Sequence, residues 1–143
     1  MTNGDHTRAL GAGDYASVNG LEMYYEIHGT GQPLVLLHGA YMTIETIGEI
    51  VASLAETRQV IAVELQGHGH TADIDRPITY EGMADDTAAL LRHLGIEKAN
   101  VFGYSMGAAS PCRSPSGTQR WCASWWSPQP PTRATACTPS CWR

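Results

Sequence analysis

Asn100-Val101-Phe102-Gly103-Tyr104 reads as a short apolar strand running without pause into Gly103-Tyr104-Ser105-Met106-Gly107, a G-x-S-x-G turn. A serine presented this way sits on a sharp strand-to-helix bend. The bend strains the backbone, needs small residues on both sides and lifts the hydroxyl clear of the sheet. Gly103 and Gly107 supply the small flanks. A helix starting after Ser105 would aim its first amides and positive dipole end at an anion forming beside the hydroxyl, with the Met106 amide as the expected donor.

Working back from the turn, the pattern stays regular. Pro33-Leu34-Val35-Leu36-Leu37 is apolar without alternation, as in a parallel strand covered on both faces, and it ends at His38-Gly39. Ile44, Ile47, Ile50, Val51 and Leu54 recur at helical spacing. Val60-Ile61-Ala62-Val63 predicts a second buried strand before the Gly67-His68-Gly69 turn. Thr79 is placed to cap another helix, with Gly82 at its third position. The apolar stripe of that helix is Tyr80, Met83, Ala84, Thr87, Leu90, Leu91 and Leu94, and Gly95 stops it. At the N-terminal end, Asn19-Gly20 separates two strand-like runs, Asp14 to Val18 and Leu21 to Ile27, and predicts a tight hairpin. The order predicts an α/β fold: a hairpin, then parallel strands with flanking helices joined by right-handed crossovers.

Placed at the end of the first core strand, His38-Gly39-Ala40 can turn a loop amide toward Ser105, and Ala40 is the residue expected to offer it. His38 is expected to shape that loop rather than to act as acid or base, and His68 and His70 are expected to be turn residues. Tyr41 stands beside the loop, where touching substrate and packing as a plain aromatic are equally open to it. Gly67-His68-Gly69 is no dinucleotide loop, because the third glycine of G-x-G-x-x-G is replaced by Ala72.

Taken together these motifs resemble the α/β-hydrolase superfamily over roughly residues 14 to 109. The resemblance covers the hairpin, the His38-Gly39 loop, the Glu64-Leu65-Gln66-Gly67-His68-Gly69-His70-Thr71 turn and the serine elbow, in the family's order. It implies that Ser105 is the nucleophile, that Ala40 and Met106 offer the oxyanion-hole amides, and that His38, Gly39, Gly103 and Gly107 support the site. It also implies a small-molecule acyl substrate and no cofactor or metal. Glu64 stands where the family usually has Asp, and His70 where Arg is frequent. Serine rather than Asp at the elbow argues against epoxide hydrolase and haloalkane dehalogenase chemistry.

The family takes its acid and its histidine from later in the chain, yet no acidic residue and no histidine follows Ser105. The composition changes at the same place. All fourteen acidic residues lie at or before Glu97, whereas all four Cys, all four Trp and six of the eight Pro lie from Ser110 onward. Residues 110–143 contain no Leu, Ile, Val, Met, Phe or Tyr, so no apolar periodicity organises them. Reading each codon's third base with the next codon's first two turns the Trp121-Cys122 and Trp125-Trp126 junctions into Val and Cys141-Trp142 into Leu. The missing aliphatics return. The division expected is a flexible N-terminus over 1–13, a partial hydrolase domain over 14–109, and a disordered, frame-shifted tail over 110–143. Such a chain is expected to lack activity and to leave the outer edge of the Ser105 strand unpaired. Two alternatives are a catalytically dead binding domain and a genuine extension in which Cys112, Cys122, Cys137 and Cys141 bind metal or pair. The second finds no C-x-x-C spacing to support it.

A net charge of -5 provides no basic face for nucleic acid or an anionic membrane. The polar start Met1 to Arg8 leads into no apolar segment, so the expected location is the cytoplasm.

Overall fold

The computed structural model describes residues 11–109 together with Cys122 and Ala123. Apart from those two residues, the tail expected over 110–143 lies outside the described residues, as do residues 1–10.

Strands β1 (Gly13–Val18) and β2 (Leu21–His28) form the hairpin, with Val18 opposite Leu21 and Tyr15 opposite Tyr24. Asn19 and Gly20 both take positive φ, +51° and +80°, as the two central residues of a primed turn must. Next come β3 (Pro33–Leu37), helix α1 (Gly48–Ala55), β4 (Gln59–Val63), helix α2 (Tyr80–His93), β5 (Asn100–Gly103), the single turn of helix α3 (Met106–Ala109) and β6 (Cys122–Ala123). They build one sheet in the order β1-β2-β4-β3-β5-β6. β2 runs antiparallel to β4, while β4, β3, β5 and β6 are mutually parallel along the row.

Strand patterning reports which faces are covered. In β3 and β4, Val35, Leu37, Ile61 and Val63 point into a core shared with the hairpin and α2, whereas Leu34, Leu36, Val60 and Ala62 pack with Ile44, Ile47 and Val51 on the α1 side. Both faces are dry, hence the unbroken apolar runs. The hairpin alternates, with Leu21, Met23 and Tyr25 buried and Glu22 exposed between them, because one of its faces is covered. Leu90 and Leu91 of α2 are fully buried and contribute about 1.5–3 kcal/mol each.

Both helix predictions hold, with local corrections. Residues 45–47 form a 3-10 turn ahead of α1, and Ile50 faces solvent because the buried stripe runs through Ile44, Ile47 and Val51. In α2 the Thr79 hydroxyl accepts from the Gly82 amide at 3.0 Å, as the capping pattern requires. Its C-terminus closes with Gly95 at φ +70°, the Gly95 amide donating to the Arg92 carbonyl and the Ile96 amide to the Leu91 carbonyl. Tyr80 faces outward instead of inward, lying at the first residue of the helix where the stripe has yet to reach the core. β5 ends at Gly103, one residue earlier than its apolar run suggests, since Tyr104 already belongs to the bend. The expected unpaired edge of β5 is a further correction: Cys122 and Ala123 pair alongside Asn100 and Val101.

Candidate active site

The serine bend sits at the C-terminal end of β5. The Tyr104 amide still donates to the Leu37 carbonyl at 3.0 Å, holding the end of β5 in register with the end of β3. Ser105 then takes φ +50°, a left-handed conformation costing a non-glycine residue on the order of 1–3 kcal/mol. Helical bonds resume at once, from the Gly107 amide to the Tyr104 carbonyl and from the Ala108 amide to the Ser105 carbonyl. The glycines are sterically forced. A Cβ on Gly103 would lie 2.5 Å from the Gly107 carbonyl oxygen, and one on Gly107 would lie 2.5 Å from the Leu37 carbonyl oxygen. Ser105 is exposed, and its hydroxyl has no hydrogen-bond partner among the described residues. Met106 follows it as the first residue of α3.

Facing the bend is the loop that leaves β3. His38 is fully buried; its Nδ1 donates to the Gly39 carbonyl at 2.7 Å and its Nε2 accepts from the Leu65 amide at 3.0 Å. Accepting at Nε2 requires the neutral Nδ1–H tautomer, and burial lowers the pKa of the ring below its ordinary value. With both nitrogens engaged, His38 has none left for Ser105. The Met42 amide donates back to the Gly39 carbonyl at 3.3 Å, closing a turn in which Tyr41 takes φ +61°. The Tyr104 ring lies against Gly39, where a Cβ would come within 2.9 Å of its Cδ1. Thus the structure brings together His38, Gly39, Tyr104, Gly103 and Gly107, with Ala40 in the turn. Tyr41 is 98% exposed, so the packed alternative for its ring does not apply.

Sequence reasoning missed the buried polar groups behind this loop. Glu64, at the exit of β4, is 1% exposed. Its Oε1 accepts from the Ile44 amide at 3.2 Å, and its Oε2 accepts from the His70 amide at 2.5 Å and contacts His70 Nδ1 at 3.0 Å. Gly69 leaves space for this carboxylate, which a Cβ there would overlap. The Thr71 hydroxyl donates to the Glu64 carbonyl and accepts from the Tyr24 amide, tying the turn to β2. Tyr24 stacks on His70 with centroids 4.3 Å apart and donates to Glu26; burial first, then that hydrogen bond, pushes its pKa up to about 12. Farther along, Asp86 of α2 is buried and accepts from both terminal guanidinium nitrogens of Arg76, at 2.7 and 3.2 Å, and from Asn19 at 3.0 Å. Asp86 in turn raises the pKa of Arg76, chiefly through its hydrogen bond. No periodic signal marks Glu64 or Asp86, whose partners lie up to 67 residues away.

A cleft of about 570 Å³ opens on the α1 side, lined by Glu26, His28, Glu45, Val51, Glu64 and His70 among others, and by neither Ser105 nor Ala40 nor Met106. It is separate from the serine site. Among the described residues no group of three or more His, Cys, Asp and Glu is arranged to hold a metal ion, and no helix is long and apolar enough to cross a membrane.

Comparison with known proteins agrees with this geometry. A family model described as alpha/beta hydrolase fold matches residues 32–110. The chain is similar to a soluble epoxide hydrolase of Corynebacterium sp. (strain C12), 38% identical over 97 residues that make up 66% of this chain and 33% of that protein. It is also similar to a putative esterase/lipase of Haemophilus influenzae, 30% identical over 58% of this chain and 30% of that protein. Among solved structures, epoxide hydrolase CorEH superposes with a TM-score of 0.68 at 34% identity, covering 71% of this chain and 36% of that one. An enol-lactonase from Burkholderia xenovorans LB400 superposes with a TM-score of 0.65 at 31% identity, covering 68% and 39%. The chain therefore spans about a third of the length of the curated relatives it matches.

Proposed function

The chain belongs to the alpha/beta hydrolase fold family, and we propose that it is the N-terminal part of a serine hydrolase acting on a small ester-like acyl substrate, with Ser105 as nucleophile. The observation that carries this reading is the conformation of Ser105 itself. A strained, exposed serine stands between two glycines that admit no side chain, beside the His38–Gly39 loop. In the proposed reaction the Ser105 oxygen attacks the acyl carbonyl carbon, and the Met106 and Ala40 amides hold the oxyanion. A histidine supplied later in the full-length protein takes the serine proton and passes it to the leaving group. The chemistry asks for no metal and no cofactor.

Relatives described as epoxide hydrolases share this part of the fold, but the serine at the elbow favours ester over epoxide chemistry. Since no acid or histidine follows Ser105 in this sequence, the 143-residue polypeptide lacks the base and is inactive by itself. The same fact favours a second reading, a catalytically dead binding domain. Sequencing the coding DNA and transcript from the Ser105 codon onward separates the two. We expect the shifted frame to stay open and to supply an acid and a histidine. The restored chain then hydrolyses a short aryl ester, and Ser105→Ala abolishes that turnover. A shifted frame that closes at once, or turnover that survives Ser105→Ala, overturns the hydrolase reading.

A further inference from the structure

The bend that carries Ser105 and the loop that carries Ala40 meet closely. A Cβ on Gly39 would lie 2.9 Å from Cδ1 of Tyr104 and 3.1 Å from Sδ of Met42, and one on Gly107 would lie 2.6 Å from the His38 carbonyl oxygen. Two tyrosines border this junction, Tyr104 immediately before Ser105 and Tyr41 immediately after Ala40. They are held differently. The Tyr104 ring rests against Gly39 and the residue is 45% exposed. Tyr41 is 98% exposed and takes φ +61°, in the turn that the Met42 amide closes on the Gly39 carbonyl. A left-handed backbone is costly at a bulky residue, and glycine or asparagine would adopt it more readily. A ring standing in water offsets none of that cost, since it removes no apolar surface from solvent. Neither the turn nor the core therefore calls for an aromatic at position 41.

The chemistry of the two segments narrows what such a ring meets. Residues 39–42 and 103–107 contain no acid, lysine, arginine or histidine. Beside the serine they offer two phenol rings and the Met42 thioether. Both kinds of group interact with an aromatic ring more favourably than with an alkyl chain of the same size, through the ring quadrupole and the polarisable sulfur. Consecutive Cα atoms lie about 3.8 Å apart, so a ring on residue 41 is within reach of a group attached to a carbonyl held by the Ala40 amide. We propose that Tyr41 is a specificity-determining residue for neutral esters that bear an aryl ring, its side chain packing on that ring while the Ala40 amide holds the ester carbonyl. The strained backbones of Tyr41 and Ser105 then belong to one site, where their cost is offset by contacts made with substrate. The proposal rests on the hydrolase reading for the reaction, and on the exposed ring and its uncharged surroundings for the preference.

The test titrates two uncleavable methyl ketones of equal carbon count, acetophenone and 2-octanone, into the 143-residue chain and follows them by nitrogen-proton NMR. Acetophenone is expected to shift the Ala40, Tyr41 and Ser105 amides with half-saturation at about fivefold lower concentration than 2-octanone, the worth of one aromatic contact. Tyr41→Gly and Tyr41→Asn are expected to erase that preference and Tyr41→Phe to keep it. Tyr15→Ser, on the outer strand of the hairpin, should leave it intact. Glycine suits φ +61°, so Tyr41→Gly should raise the urea midpoint rather than unfold the chain. Equal affinities for the two ketones, or a preference that survives Tyr41→Gly, overturns the proposal. In the restored chain the same substitution should raise KM for phenyl acetate about fivefold relative to KM for methyl hexanoate while the kcat ratio holds, the mark of a contact made alike in ground and transition states. A KM ratio that does not move also overturns it. Failure of the hydrolase reading looks different: Ser105-dependent turnover is missing from the restored chain, while the 143-residue chain still prefers acetophenone and loses that preference in Tyr41→Gly.

Discussion

The bend at residues 103–107 and the polar framework at residues 64–86 stabilise two regions of the fold by opposite means. The bend is held by backbone geometry. Its glycines are required because carbonyls of the next strand and turn occupy the space of a Cβ, and its partners lie along β3, β5 and the first turn of α3. The framework is held by side chains. Glu64 joins Ile44, ahead of the 3-10 turn at 45–47, to the 67–71 turn, and Asp86 joins α2 to Arg76 and to the hairpin turn at Asn19. Removing a methyl's worth of space strains the first. Removing one partner from the second leaves polar groups uncompensated in the interior, a larger penalty.

The sharpest challenge to that contrast is Asp86→Ala. It is expected to lower stability by about 3 kcal/mol, the low end for breaking a buried pair because Arg76 keeps one side toward solvent. Urea denaturation followed by circular dichroism reads it, and a loss under 1 kcal/mol would make the framework incidental to the fold. Next comes Gly107→Ala, whose new Cβ presses on the Leu37 and His38 carbonyls; a loss of about 2 kcal/mol is expected. An unchanged urea midpoint would show that the bend has slack, erasing the steric half of the contrast.

His38 gives a smaller effect with a definite sign. Its folded pKa is lowered by burial, so below the unfolded value of about 6.5 the unfolded chain binds a proton that the folded chain refuses. Stability contributed by the neutral ring is therefore present above that pH and lost as pH falls toward the folded value. His38→Gln should flatten the stability profile in this window by one proton's slope, and an unaltered profile would place the neutral ring in doubt. Thr79→Ala, far from both regions, should cost about 1 kcal/mol through the lost cap on the Gly82 amide. A cost equal to that of Asp86→Ala would mean that stability is spread evenly and that the two regions are not special.

How much of this was legible in the sequence follows from the range of the interactions. Asn19-Gly20, Thr79 with Gly82, the apolar runs of β3 and β4, and Gly103-Tyr104-Ser105-Met106-Gly107 could each be read from a few adjacent residues, since φ preferences, caps and strand burial act over a single turn or strand. The match to the fold family covers those of these segments that lie within residues 32–110. Outward-facing Ile50 and Tyr80 were misread because periodicity says which residues share a stripe and not where the covered surface begins and ends. Glu64 and His70 were legible as members of the 64–71 turn but their burial and partners were not, and Arg76 and Asp86 had no local signature at all. Their partners lie between 6 and 67 residues away, and a lone acid in a turn or on a helix looks the same whether solvent or a buried amide receives it. Local residue patterns are enough for the order of strands and helices, the bend that exposes Ser105 and the glycines it needs. That both ends of the Ala40 loop close on Glu64 and Leu65 is a matter of long-range packing, because that pairing exists only once β3 and β4 lie side by side.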